Sequence, residues 1–299
     1  MKPNWASISG NVDLSNNQIA LLPSPLSQAA PIPAELIPRA VVRSNLQFAQ
    51  GTISLEVKLP EPDAQCLIGL NVEQGGELYA GLNNFGALYG LAIWRDGQWK
   101  CLAGSGYGGT LERERWYNLT LSVRGSTLEL HVDGVKVTSA ARQIQKGPVN
   151  LVLQGGGQVI VRNVEIESRP DQCFIVMQFT DEYNALYREV IRPTCEAFGY
   201  KVSRSDDIYT TGLIINDITQ SIQDASIVIA DITPNNPNVF YEVGYAHGIG
   251  KTTILLSDKK RERVPFDVSG FRTLFYDNTI AGKSEVEARL KRHLEGIAA

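Results

Sequence analysis

Hydrophobic and polar positions change their spacing along the chain. From Ala40 to about Ser168 apolar residues come in short alternating runs, broken by Gly, Asp, Asn and Pro, with almost no helical periodicity. This alternation predicts strands over Ser44 to Phe48, Thr52 to Leu59, Cys66 to Val72, Leu78 to Asn83, Leu88 to Trp94, Lys100 to Ala103, Trp116 to Arg124, Thr127 to Val132, Val149 to Gln154 and Gln158 to Glu167. Many short strands at such spacing predict an antiparallel β-sandwich over 40–168. Residues 1–39 are rich in Ser, Asn, Gln and Pro, and Pro23, Pro25, Pro31, Pro33 and Pro38 break regular structure. They are expected to form an irregular segment or to contribute one edge strand.

Beyond Arg169-Pro170-Asp171 the pattern changes. Cys173 to Met177 is a continuous apolar run, suited to a strand buried on both faces. Helical spacing follows over Tyr183 to Phe198, then a strand over Tyr200 to Ser203 and a helix over Leu213 to Asp224. Ile227 to Ala230, Thr253 to Leu256 and Phe271 to Tyr276 read as further strands, and Val239 to Ile249 and Ser284 to Ile297 as helices. Alternation of this kind implies a parallel sheet with right-handed crossovers. The expected architecture is therefore two-domain, an N-terminal antiparallel β-sandwich followed by an α/β domain over 171–299.

Composition narrows the function classes. The chain has 299 residues and a formal charge of −4, without the basic excess that nucleic acid or an anionic membrane would call for. No apolar stretch approaches the length of a membrane span, and the start shows no signal-peptide pattern. The four cysteines form no CxxC pair and the three histidines are scattered, which argues for free thiols, against a zinc site, and for a cytoplasmic protein. Glu112, Glu114 and Asp133 sit beside turns without metal spacing.

Chemistry concentrates at the carboxyl ends of the second domain's strands, where open α/β sheets hold ligands. Gln178 to Tyr183, including Phe179, follows the first strand; Arg204 to Asp207 follows the second. Asp231 to Asn238 follows the third, and Glu242 lies in the next helix between Phe240, Tyr241, Val243 and Tyr245. An apolar helix face is a poor home for an unpaired carboxylate, so Glu242 is the first candidate for catalysis, against the plainer reading of a helix-dipole partner. Asp231 could equally cap the strand-end loop, Asp206 and Asp207 could form a solvated turn, and Arg204 could pair with them or bind phosphate.

Two resemblances sharpen these expectations. Arg115 to Val123, followed by Gly125 and by Leu128 to Gly134, resembles the concanavalin-like or laminin-G-like sandwich, in which a strand opening on Trp leads by a hairpin into a strand ending in Asp-Gly. It implies a recognition or assembly module with an unknown protein or glycan ligand. FIVMQF at 174 to 179, SRSDDI at 203 to 208, NDIT at 216 to 219, IVIADIT at 227 to 233, NPNVFYEVGYAHGIGK at 236 to 251 and VPFDVSGFR at 264 to 272 resemble the nucleoside 2-deoxyribosyltransferase-like family. That family is related in fold and chemistry to the Toll/interleukin-receptor-like NAD-cleaving domains, which implies a flavodoxin-like sheet.

The resemblance makes Glu242 the nucleophile at C1 of a ribose and Asp217 a sugar-contacting acid. Phe179, Tyr183, Arg204, Asp206, Asp207, Asp231, Asn236 and Asn238 become expected substrate contacts. The family's transferases carry an acid where this chain has Asn236, which turns the expectation toward hydrolysis. It further implies NAD or a related nucleotide or nucleoside as substrate, no separate cofactor or metal, a homo-oligomer, and an antiviral defence role in which the sandwich senses or assembles. The alternatives are a non-catalytic nucleotide-signal binder and a carbohydrate- or protein-binding scaffold.

Overall fold

The computed structural model describes residues 3–23, 37–71, 76–207, 213–261 and 263–298. The chain forms two units whose main division falls between Arg169 and Pro170, with the short segment Arg124–Ser126 grouped in the second.

The first unit is a sandwich of two antiparallel sheets. Its strands are β1 (Trp5–Ser9), β2 (Val12–Asp13), β3 (Gln18–Leu21), β4 (Arg39–Phe48), β5 (Gly51–Lys58), β6 (Gln65–Leu70) and β7 (Glu77–Asn84). They continue with β8 (Ala87–Arg95), β9 (Gln98–Ser105), β10 (Trp116–Arg124), β11 (Thr127–Val132), β12 (Val135–Ala141), β13 (Gly147–Gln154) and β14 (Ile160–Ser168). One sheet runs β1-β4-β13-β6-β7-β8-β9 and the other β12-β11-β10-β5-β14-β3-β2.

Alternation along the strands builds the core. Ile53, Leu55 and Val57 of β5, Leu119, Leu121 and Val123 of β10, and Leu128, Leu130 and Val132 of β11 all point between the sheets and are buried. Burial of such side chains stabilises the fold by about 1.5–3 kcal/mol each. The β11–β12 hairpin turns on Asp133 and Gly134, with φ of 50° and 79°. Two successive positive φ values are what a two-residue turn needs to match strand twist, and glycine adopts one without strain.

Two expectations are corrected. Residues 3–21 are not irregular: β1 pairs with β4, and β2 and β3 extend the opposite sheet. These strands have 5, 2 and 4 residues, too short for alternation to register. The second is β12, which escaped prediction because it is an edge strand whose side chains are all exposed or half-exposed.

The second unit holds a parallel sheet of β15 (Gln172–Val176), β16 (Lys201–Arg204), β17 (Ile227–Asp231), β18 (Thr253–Asp258) and β19 (Thr273–Tyr276), in the order β16-β15-β17-β18-β19. The helices are α1 (Asp181–Leu186) and α2 (Arg192–Ala197), joined by a π-helical turn at Tyr187–Ile191, then α3 (Ile214–Asp224), α4 (Pro237–Gly248) and α5 (Ile280–Ala298). Pro193 stands just after the π turn, where its missing N–H breaks the regular ladder.

Period-two alternation divides β15 between two cores. Cys173 and Ile175 pack with α1, α2 and α5, whereas Phe174 and Val176 pack with α3 and α4 on the other face. The strand order reverses between β15 and β17, so the crevice at their carboxyl ends is a topological switch point.

Candidate functional site

A cavity of about 540 Å³ opens at that switch point. The end of β15 supplies Met177, Gln178 and Phe179; the turn after β16 supplies Ser205 and Asp206. Helix α3 contributes Ile214, Ile215 and Ile218, and the start of α4 contributes Asn236, Asn238, Val239, Tyr241 and Glu242. The lining therefore combines aliphatic and aromatic side chains with three amides, two hydroxyls and two acids.

Local structure fixes the polar wall. Asn236 is the N-cap of α4: its Oδ1 accepts from the Asn238 N–H at 3.0 Å, and Pro237 starts the helix where no N–H donor is needed. Its Nδ2 donates to Gln178 Oε1 at 3.4 Å. Glu242 follows on the same helix and is only 9% exposed. Among the described residues its carboxyl has no hydrogen-bond or ion-pair partner, and burial alone pushes it up to about 7. Near neutral pH it is thus poised between the acid and the carboxylate, as a group working at that pH should be.

Arg204 organises the neighbouring wall from behind. Its guanidinium is buried, donates to both carboxylate oxygens of Asp206, and reaches Asn184 Oδ1 at 2.7 Å. Its centre lies 4.9 Å from the Phe179 ring and 4.3 Å from the Tyr187 ring. Arg204 therefore holds Asp206 and supports Phe179, with three of its five N–H groups donating to protein oxygens.

Other expected site residues lie elsewhere. Asp231 is 1% exposed and does not line the cavity; its carboxylate accepts from the Thr233 N–H at 2.9 Å, the Thr233 hydroxyl at 2.5 Å and the Tyr276 hydroxyl at 2.6 Å. Burial raises it, partly offset by these bonds, and burial followed by the Asp231 charge pushes the Tyr276 hydroxyl up. Tyr183 lies near this network, its hydroxyl pushed up to about 12 by burial and by Asp231. Asp207 accepts from the Arg204 N–H and from the Tyr187 hydroxyl, both at 3.3 Å. Asp217 lies on α3 beside Ile218 but is not among the cavity-lining residues. The cavity thus gathers Phe179, Asp206, Asn236, Asn238 and Glu242, with Arg204 behind them.

Sequence reasoning missed Tyr241, Ile214 and Ile215. All three are exposed, at 54%, 75% and 43%, yet as apolar or aromatic residues on helices they read as core. Three further features prove structural. His247 stacks on Phe271 with ring centroids 3.9 Å apart. The buried Lys251 amine donates to Gln223 O and Ala225 O at 2.9 and 2.6 Å, satisfying carbonyls at the end of α3. Glu112 and Asp133 both pair with Arg115, at 2.8 and 2.7 Å.

No family model matches the chain, and no curated protein matches it. Among solved structures it is similar to a carbohydrate-binding module, CBM66, from Bacillus subtilis, at 11% identity and a TM-score of 0.41, covering 54% of this chain and 92% of that one. A protein of unknown function with a galectin-like fold from Bacillus subtilis is similar at 9% identity and a TM-score of 0.40, over 54% and 87%. A prokaryotic β-1,3-1,4-glucanase derived from a mouse hindgut metagenome is similar at 13% identity and 0.37, over 54% and 89%. Among the described residues no helix is long and apolar enough to cross a membrane.

Proposed function

We propose that the α/β unit is an N-glycosidase that hydrolyses the base–ribose bond of NAD or a related nucleotide or nucleoside. The observation that carries this reading is Glu242: a nearly buried carboxyl, unpaired among the described residues, lining a cavity large enough for such a ligand together with aromatic and aliphatic side chains. Glycosidic cleavage develops positive charge at the anomeric carbon, which a carboxylate stabilises or captures as a covalent glycosyl intermediate. The C1–N bond breaks and the base departs as Glu242 bonds to C1. Water then attacks that carbon as the Glu242–ribose bond breaks, one water proton passes to solvent, and the sugar leaves as the free hemiacetal. Phe179 and Tyr241, both partly exposed on the cavity wall, supply apolar faces for a base. Asn236, Asn238 and Gln178 supply donors and acceptors for sugar hydroxyls. Incubating the full chain with NAD, nucleotides and nucleosides and measuring released base tests the reading; a folded wild type that releases none from any of them overturns it.

A second reading makes the sandwich a recognition unit for a glycan or protein ligand, with the α/β unit holding a nucleotide without turnover. It is supported by an aromatic group on the β7–β8–β9 edge. Asn84 Nδ2 donates to Tyr79 O and Gly90 O at 2.8 and 3.0 Å, and the Phe85 ring centroid lies 6.5 Å from that of Trp99. Trp94 and Tyr79 flank Trp99 at 5.3 and 5.2 Å, and Phe85 and Trp99 stay 48% and 39% exposed. Binding of a glycan or protein by the full chain, without base release from any nucleotide, would favour this reading.

A further inference from the structure

The N-terminal strands enclose a second cleft, which no expectation from the sequence foresaw. β1 lies at the edge of one sheet and β2 and β3 at the edge of the other. A space of about 360 Å³ here is lined by Asn4, Trp5, Asn17, Gln18, Asn163 and Glu165, with a few apolar neighbours.

The cleft is built into the backbone. The ladder of β14 shifts register between Arg162 and Glu165, and Asn163 within that shift adopts φ of 52°. A bulge of this kind bends a strand and re-aims its side chains. Asn17, in the turn before β3, has φ of 58°. Asn4 is pinned by its N–H to Asn45 Oδ1 at 2.9 Å and by its carbonyl, which accepts from the Asn45 N–H at 3.0 Å.

The lining selects a ligand class. Trp5 is half-buried: it packs against the sandwich core and also lines the cleft. Asn163 Nδ2 donates to Glu56 Oε1 at 3.0 Å, which leaves its Oδ1 as an acceptor. Among the described residues the side chains of Asn17, Gln18 and Glu165 have no hydrogen-bond partner. Amides both donate and accept, which matches hydroxyl groups that do the same. An apolar ligand would strip water from those amides without replacing its hydrogen bonds. An anionic ligand would face Glu165 with no Lys or Arg among the described lining residues to offset it. A neutral ring with hydroxyls at its rim and C–H groups on its face meets all three conditions.

We infer that this cleft binds a neutral saccharide, its ring against Trp5 and its hydroxyls shared among Asn17, Gln18, Asn163 and Glu165. The inference rests on the sandwich being a recognition unit, and it names the site and the ligand class.

The test titrates the full chain with glucose, galactose, mannose, maltose, cellobiose and lactose, followed by calorimetry and tryptophan fluorescence. At least one sugar is expected to bind in the range of about a millimolar. Asn17→Gly keeps a residue suited to the left-handed backbone, and Gln18→Ala removes a half-exposed amide; each is expected to weaken binding about tenfold or more without moving the melting temperature. Trp99→Ala, at the other aromatic group, is expected to leave it unchanged. Binding that survives Asn17→Gly and Gln18→Ala but is lost in Trp99→Ala overturns the cleft and leaves the recognition reading standing. If no sugar in the set binds the wild type, both are overturned for neutral saccharides.

Discussion

The Asn236 amide nitrogen lies 3.4 Å from Gln178 Oε1, so the residue that caps α4 also ties that helix to the loop after β15. Glu242 and Phe179 sit on the two elements this contact joins. Asn236→Ala removes cap and tie together and is expected to cost about 1 kcal/mol, read from chemical denaturation. Asn236→Asp keeps the cap and places a carboxyl near the cavity. With a second free base supplied as acceptor, Asp at 236 is expected to divert product from hydrolysis to base exchange, seen as a new nucleoside by chromatography.

Glu242 links the site to stability. Its folded value of about 7 lies above the ordinary 4.5, so the folded state holds the proton where the unfolded state has lost it. Stability therefore falls as pH rises from 4.5 to 7, by on the order of 3 kcal/mol in total. Glu242→Gln removes this cost. Its melting temperature is expected to exceed that of wild type at pH 8 and to match it near pH 4.5, measured by calorimetry at both. Equal differences at the two values would contradict a desolvated Glu242. If the carboxylate is the nucleophile, wild-type kcat/KM for base release rises as pH passes upward through about 7.

Arg204 is expected to be costly to replace. Arg204→Ala leaves Asp206 and Asn184 without a partner and removes the group stacked between Phe179 and Tyr187. Arg204 is buried but the Asp206 side chain is 36% exposed, so water partly replaces the lost partner and the expected cost is about 1–3 kcal/mol. Arg204→Lys keeps the charge but not the two-pronged contact, and should recover only part of that loss in denaturant titration.

Asp231 tests the line between site and scaffold. Asp231→Asn should weaken the Thr233 and Tyr276 contacts and lower stability by about 1–3 kcal/mol. The folded protein's KM and kcat for base release should stay near wild type, since Asp231 lies outside the cavity lining. A large fall in kcat without unfolding would return Asp231 to the site.

Much of this was legible in the residues. β5, β10 and β11 alternate strictly because one face of each meets the core and the other does not. β15 and β17 read as unbroken apolar runs because helices cover both faces of their sheet. Glu242, Asn236, Asn238, Phe179 and Asp206 could be placed together because strand order sends their loops to one end of that sheet. Side-chain direction could not be read in the same way. Asp231 follows its strand as a ligand-binding acid would, yet it turns inward to Tyr276, a partner 45 residues away in the chain. Ile214 and Tyr241 were hidden for the opposite reason, since an apolar residue on a helix is ordinarily core and these two face a cavity. The amide-lined cleft was hidden because β1, β2 and β3 are too short to show a period.

The most direct measurement is base release from NAD, nucleotides and nucleosides by wild type and by Glu242→Gln, each confirmed folded. Wild type is expected to release base from at least one substrate, and Glu242→Gln to be slower by at least about a thousandfold. Full activity in Glu242→Gln would contradict the assignment of the nucleophile, and no release by wild type would contradict the N-glycosidase itself.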